Sequence, residues 1–474
     1  MSNPPNLFYP LGGGDEIGAS SYYLQVNGKQ ILVDAGLRLK GRLVFPDYSS
    51  LSLIGLMGLY ECDCVLITHA HLDHTGSLPA VYEKIHSKGH KIPIYATPPT
   101  KAIANVLLND TIKIKEVHGE YGDLAIREFE KHLVEETIQS IHEMEFGLPF
   151  EAAPGIRVTF YPAGHILGAA MFLVEIGNFC SLFTGDFCGV GQRTVSDYRL
   201  PEKLPEIDLL VCESTYAYRK TNTLLCDQQE AFILQVEEAI RRGGKVLIPA
   251  FAVGRSQEVI TMLRQARESG QLREDFPIYT DGMVNQVCVV YDTNRVFLHP
   301  DLRKKRGNLF FSQEGGIQHS PFNFRKSGTV EMFQKSPPCC VIASSGMLID
   351  GSRSAAYASA MIEDAHNTIL FTGYLDEESP GNKLLQANSH IKNFRLNHKE
   401  YEIKAKILPY HLSSHASLDQ ILAMVEHVKP RQVIFVHGYA DYVNPENLFI
   451  NFYRWGKLDI RPYIAYNQIP IYLG

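Results

Sequence analysis

Four potential metal ligands fall within six positions in Thr68-His69-Ala70-His71-Leu72-Asp73-His74, and no feature of this 474-residue chain restricts it more. The run follows the apolar stretch Cys64–Thr68, which reads as a buried strand. It precedes a helix whose Leu78, Val81, Tyr82 and Ile85 share one face. Side chains on alternate positions of an extended segment share a side, so His69, His71 and Asp73 can converge. His74 turns with the helix start and can face a second ion. Imidazole and carboxylate together suit zinc, with manganese and iron as compatible alternatives.

A metal cluster needs further ligands, and they stand where apolar strands end. His165 follows Ile156–Tyr161, Asp186 follows Phe179–Thr184, His437 follows Val433–Val436, and Asp34 closes Ile31–Val33. Singly, each is an ordinary polar residue at a strand end. Together they describe strands of a sandwich delivering His or Asp to one edge.

The rest of the pattern is α/β. Ser21–Val26 and Ile31–Asp34 flank the turn Asn27-Gly28, a hairpin signal, and Ala170–Ile176 turns at Gly177-Asn178 into the next strand. From about Asp208 strands and helices alternate: Leu209–Cys212, Gln229–Arg241, Lys245–Ala250, Ser256–Arg267, Cys340–Ala343, Ser354–Glu363, Thr368–Thr372. That rhythm predicts a parallel, doubly wound sheet. Strand Lys404–Leu408, helix Leu418–Val428, strand Gln432–Val436 and a helix near Glu446–Trp455 close the chain. The expected organisation is 1–214, an insertion over 215–388, and a return over 389–474.

Composition narrows the class. With 45% hydrophobic and 20% charged residues, this is a globular chain with no apolar run long enough to span a bilayer. Nine cysteines, an odd set, and an N-terminus without a signal-like apolar run point to a reduced, cytoplasmic protein. The net charge of -7 advertises no nucleic acid, although field depends on local arrangement. The basic run Arg303–Arg306 reads as a solvated turn. Gly12-Gly13-Gly14 precedes a hairpin rather than a helix, which argues against a dinucleotide loop.

Asp34, the His-x-His-x-Asp-His segment, His165, Asp186 and His437 resemble, in order, the ligand motifs of the metallo-β-lactamase superfamily. Glu213-Ser214-Thr215-Tyr216, His415 within Ser413-Ser414-His415-Ala416, and His437 resemble motifs A, B and C of its β-CASP subfamily. Pro249–Glu258, Ala343–Leu348 and Phe371–Tyr374 are similar to the recurrent segments of the inserted domain. The resemblance implies an αββα sandwich with an inserted β-CASP α/β domain and two Zn2+ per chain. His69, His71 and His165 would hold one ion, Asp73, His74 and His437 the other. Asp186 would bridge them and Asp34 would support them from behind. It also implies a nuclease in which the ions activate water for in-line attack. His415 would protonate the leaving oxygen, oriented by Glu213. A histidine at motif C implies single-stranded RNA as substrate. Arg255, Ser344 and Ser345, after strands and at or before helix starts, are candidate phosphate contacts.

Three departures bear on substrate handling: Ser417 and Tyr439 stand where the family often has acidic residues, and Ala217 where it has glycine. Two other classes compete. A small-molecule thioesterase or lactonase of this fold needs no large insertion and leaves Glu213 and His415 without a purpose. A silent RNA-binding scaffold would not need every ligand position filled. No membrane contact is expected. The apolar tail Ile469-Pro470-Ile471-Tyr472 suits either a homodimer contact or a buried final strand.

Overall fold

The computed structural model describes residues 5–38, 45–118, 130–189, 191–217, 225–311, 317–387, 393–439, 455–457 and 459–474. They form two compact units. One comprises Met1–Gly191, Val195–Thr221 and His415–Gly474, the other Gln192–Thr194 and Asn222–Ser414.

In the first unit, side-chain alternation decides the layering. Along Ser21–Val26, Tyr22, Leu24 and Val26 enter a core between two sheets, while Tyr23 turns to the other face. One sheet has the order Ile471–Tyr472, Leu7–Gly12, Ser21–Val26, Lys29–Val33, Cys64–Leu66, Ile94–Ala96, Ile141–Glu143. The other has the order Arg461–Ile464, Gln432–Val436, Leu209–Glu213, Phe179–Phe183, Ala170–Ile176, Ile156–Pro162, Phe150–Ala153. Phe8, Phe160, Phe172 and Phe183 fill the space between them, with Phe160 and Phe172 ring centroids 4.4 Å apart. Each such burial stabilises by about 1.5–3 kcal/mol. On the outer face, Leu78, Val81 and Ile85 of the helix Leu78–His86 join Tyr23, Leu32 and Val65 in a second cluster, with Tyr82 half-buried beside it.

Strand direction is what positions the site. Lys29–Val33 runs parallel to Cys64–Leu66. In the facing sheet, Phe179–Phe183, Leu209–Glu213 and Gln432–Val436 are mutually parallel, and Ile156–Pro162 runs the same way, since both it and Phe179–Phe183 are antiparallel to Ala170–Ile176. Asp34, the His69–His74 turn, His165, Asp186, Glu213 and His437 all stand at or just past the C-terminal ends of these strands. Two of them, Asp34 (φ 62) and His437 (φ 53), adopt the left-handed region, which costs a non-glycine residue about 1–3 kcal/mol. Backbone bonds hold both there, from Asp34 N to Leu66 O and from His437 N to Gly13 O.

The second unit is built on the expected doubly wound sheet. Its six strands are all parallel, in the order Ile317–His319, Ile278–Asp281, Cys340–Ala343, Val246–Pro249, Thr368–Phe371, Lys406–Pro409. Leu247, Val341 and Ile369 meet Phe333, Tyr357 and Met361 of flanking helices in its core. The sequence-based boundary at 388 lies inside this unit: Lys406–Pro409 pairs in register with Thr368–Phe371, so the unit runs on to Ser414. The helix expected near Glu446–Trp455 falls almost wholly on residues outside the described set.

Candidate metal centre

The turn after Cys64–Leu66 is fixed from behind by Asp34. Its carboxylate accepts Thr68 N–H and Thr68 Oγ1–H, each at 2.7 Å, and lies 2.7 Å from His74 Nδ1. A carboxylate only accepts, so Nδ1 carries the proton and the His74 Nε2 lone pair points away from Asp34. His69 Nε2 and His165 Nε2 each stand 3.2 Å from His71 Nδ1, and 3.5 and 3.7 Å from Asp186 Oδ2. Ligands of a tetrahedral ion at about 2.0–2.1 Å lie roughly 3.3 Å from one another, so these four donors have the spacing one divalent ion needs. Asp73, His74 and His437 form a second group, with Asp73 Oδ2 3.4 Å from His437 Nε2. Asp186 Oδ2 is also 3.5 Å from His74 Nε2, which puts one oxygen beside both groups.

The donor set fits cations. Asp186 Oδ1 is buried and accepts no hydrogen bond from the described residues, an arrangement that a dry carboxylate tolerates only beside positive charge. Burial lowers the His69 and His71 imidazoles below their ordinary range, which leaves them neutral with lone pairs to donate. Burial pushes Asp73 and Asp186 up, but the imidazoles around them, His437 and His74 foremost, hold both below the usual carboxylate range.

At the rim of this cluster stands a different pair. His415 Nδ1 lies 3.0 Å from Glu213 Oε2, and the His415 side chain keeps 20% of its surface exposed against 1% for Glu213. Glu213 Oε1 accepts Phe187 N–H at 2.6 Å, and Oε2 also accepts the Thr215 hydroxyl at 2.6 Å. Burial works against a proton on His415, but Glu213 and Asp186 outweigh it and raise the group to about 9. A bridge between Tyr216 and Ser417 brings the chain back at this point, and the Tyr216 ring meets His415 edge-on. Ser417, the departure noted above, opens the helix Leu418–Val428 in a capping box with Gln420.

The structure thus brings together His69, His71, Asp73, His74, His165, Asp186, Glu213, His415 and His437, with Asp34 behind them. Arg255, Ser344 and Ser345 belong to the second unit and are not part of this cluster. They follow the adjacent parallel strands Val246–Pro249 and Cys340–Ala343; Arg255 opens the helix Arg255–Glu268, whereas Ser344 and Ser345 do not stand at a helix start, since the next helix begins only at Arg353. The Ser345 hydroxyl already accepts Ile349 N–H at 3.2 Å. Thr68 and Thr215 were not identifiable from sequence. Each lies inside a motif, but nothing in a one-dimensional pattern tells a bridging hydroxyl from a filler. In the tail, Ile471–Tyr472 pairs with Leu7–Phe8, while Ile469 and Tyr472 stay exposed.

A two-sheet sandwich that gathers histidines and carboxylates at one strand edge is a metallo-β-lactamase-type divalent metal site. Known proteins agree. Residues 23–180 match the Metallo-beta-lactamase superfamily domain, 256–384 the Beta-Casp domain, and 400–443 the Zn-dependent metallo-hydrolase RNA specificity domain. The chain is 32% identical to Transcription termination factor FttA of Pyrococcus abyssi over 90% of its own length and 66% of that protein. It is 28% identical to Endoribonuclease YSH1 of Yarrowia lipolytica (91% and 50%) and 30% identical to Integrator complex subunit 11 of Gallus gallus (91% and 68%). It therefore spans about half to two thirds of the length of these relatives. A solved structure of a protein of unknown function from Enterococcus faecalis V583 superposes with a TM-score of 0.58 at 13% identity, covering 99% of this chain and 100% of that one, which supports the fold. The chain belongs to the β-CASP family of the metallo-β-lactamase superfamily. Among the described residues, no helix is long and apolar enough to cross a membrane.

Proposed function

We propose that this chain is a two-zinc ribonuclease that hydrolyses phosphodiester bonds of single-stranded RNA. The observation that carries this reading is the Glu213–His415 pair at 3.0 Å on the rim of the donor cluster. A thioester hydrolase has little use for a carboxylate-backed imidazole there, because a thiolate leaves without a proton, whereas an RNA 3′-oxygen leaves poorly without one. His69, His71, His165 and Asp186 would hold one ion, and Asp73, His74, His437 and Asp186 the other. When bound, such a pair supplies an activated water at neutral pH and neutralises charge on the phosphodiester.

The protein's own contribution is positional. Asp34 and Thr68 keep the His74 Nε2 lone pair aimed at the donor cluster. Glu213, held by Phe187 N–H and Thr215, fixes the Nδ1–H tautomer of His415, so that its Nε2 can carry a proton to the departing oxygen. The match of residues 400–443 to an RNA specificity domain spans both His415 and His437, and one relative bears the name endoribonuclease; both support RNA as substrate. Arg255 and the Ser344-Ser345 turn are the candidate backbone contacts.

Zinc-loaded protein should cut an end-labelled, unstructured RNA. Asp73→Ala should abolish cutting, and His415→Ala should slow it by about 10²–10⁴-fold while both ions stay bound. Intact RNA with loaded wild-type protein refutes the reading.

A further inference from the structure

Thr215 touches both halves of the site through a single oxygen. It is buried, two residues past the end of Leu209–Glu213, in the strand pair that also leads to His437. Its Oγ1 lies 2.6 Å from Glu213 Oε2, 2.9 Å from His437 Nδ1 and 3.1 Å from His437 O. A hydroxyl has one proton to give, and a carboxylate oxygen at 2.6 Å is a stronger acceptor than a carbonyl at 3.1 Å. The proton therefore goes to Glu213, and the oxygen is left as an acceptor toward His437. His437 must then carry its own proton on Nδ1, which leaves the Nε2 lone pair on the side of Asp73, 3.4 Å away.

We propose that Thr215 is a positioning residue that couples the two halves of the centre. It fixes the tautomer in which His437 Nε2 can bind a cation, and it holds the Glu213 carboxylate that orients His415. The chain of donors runs from His437 through Thr215 into Glu213, where it meets the N–H of His415 arriving from the other side. Glu213 accepts from three directions (Phe187 N, Thr215 Oγ1, His415 Nδ1), which makes it the acceptor hub of this network. The inference rests on the two-cation reading above.

Zinc affinity separates the two ideas. Wild-type, Thr215→Val and Thr215→Ser proteins are stripped, reloaded and titrated against a chromophoric chelator. Thr215→Val keeps the shape but removes the hydroxyl, so one of two zinc equivalents should weaken by about 10–100-fold, the usual cost of deleting a partner behind a ligand. The other should stay within about twofold, and Thr215→Ser should restore the wild-type pattern. Two unchanged sites in Thr215→Val overturn the proposal, as does a Thr215→Ser protein as impaired as the valine variant. A wild-type protein that binds fewer than two ions refutes the parent reading instead. Thr215→Ala guards against a valine variant that does not fold, since it removes the same hydroxyl with a smaller side chain. The same single-site loss is expected, and two intact sites in that variant overturn the proposal.

Discussion

Gly164→Ala tests whether the backbone, and not only the ligands, sets the first metal group. Gly164 immediately precedes His165 and has φ +75, so any side chain there meets left-handed strain of about 1–2 kcal/mol. It is also enclosed: an added Cβ would stand 2.6 Å from Cys188 O and 2.7 Å from Tyr198 N, both backbone atoms. Neither can yield cheaply. Cys188 N–H bonds to Ala163 O, Tyr198 N–H to Cys188 O, and Arg199 N–H to Pro162 O, which tie the two segments to each other and to the strand itself. Ordinary contact begins at 3.4 Å, so the methyl at 2.6 Å needs roughly 0.8 Å, and His165 must supply it. Sites of this kind tolerate about 0.5 Å. The first zinc should therefore weaken by about 10–100-fold, with His71 and Asp186 losing the partner now 3.2 and 3.7 Å away. Gly177→Ala is the matched control, with φ +59 but no neighbour closer than 3.6 Å, so it bears the backbone strain without the collision. Zinc titration and thermal melting of both variants decide the matter. Equal zinc affinities in Gly164→Ala and Gly177→Ala would refute the claim that loop packing positions His165.

Further expectations can be checked alongside. Asp34 accepts Thr68 N–H on Oδ1 and both Thr68 Oγ1–H and His74 Nδ1–H on Oδ2, so in Asp34→Asn a donor must face the amide NH2; the variant should lose about 1–3 kcal/mol of stability, read by denaturant melts, and weaken zinc at the second group. His415 is raised to about 9, so its acidic form persists up to there and is lost above it. The alkaline limb of the cleavage rate should lie at or below that value, since bound cations can only lower it, and a rate still constant beyond pH 10 would contradict the assignment. Phe172→Ala removes a fully buried ring from between the sheets and should cost about 3–5 kcal/mol in equilibrium unfolding.

What the sequence revealed and what it hid have a common physical cause. Asp34, His165, Asp186 and His437 were readable because each ends an apolar strand, and strand ends are marked by composition. The sheet to which a strand belongs is not marked. Lys406–Pro409 reads as a strand either way, and only its pairing with Thr368–Phe371 assigns it to the second unit. The helix Pro98–His118 is similarly quiet, opening on two prolines with a diffuse apolar pattern. Hydroxyl bridges are the least legible, because Thr68 and Thr215 act through partners 34 and 222 positions away.

The sequence also places a second histidine, His411, shortly before His415, and only three dimensions tell the two apart. Four residues apart, both could have faced one way on a helix, but the segment before Leu418–Val428 is irregular. The His415 ring lies between His165, at a centroid distance of 4.6 Å, and Tyr216, with Glu213 behind it. His411 is exposed, and its backbone N–H reaches Gln228 Oε1 at 3.3 Å. Among the described residues, His411 is in none of the candidate metal-donor groups, and a surface substitution of this kind is usually worth within about 0.5 kcal/mol, so His411→Ala should change RNA cleavage by no more than about twofold. His415→Ala, measured in the same assay at equal zinc content, should fall by about 10²–10⁴-fold. Comparable losses in the two variants would mean that the acid is not the imidazole beside Glu213, and the leaving oxygen would have to take its proton from elsewhere.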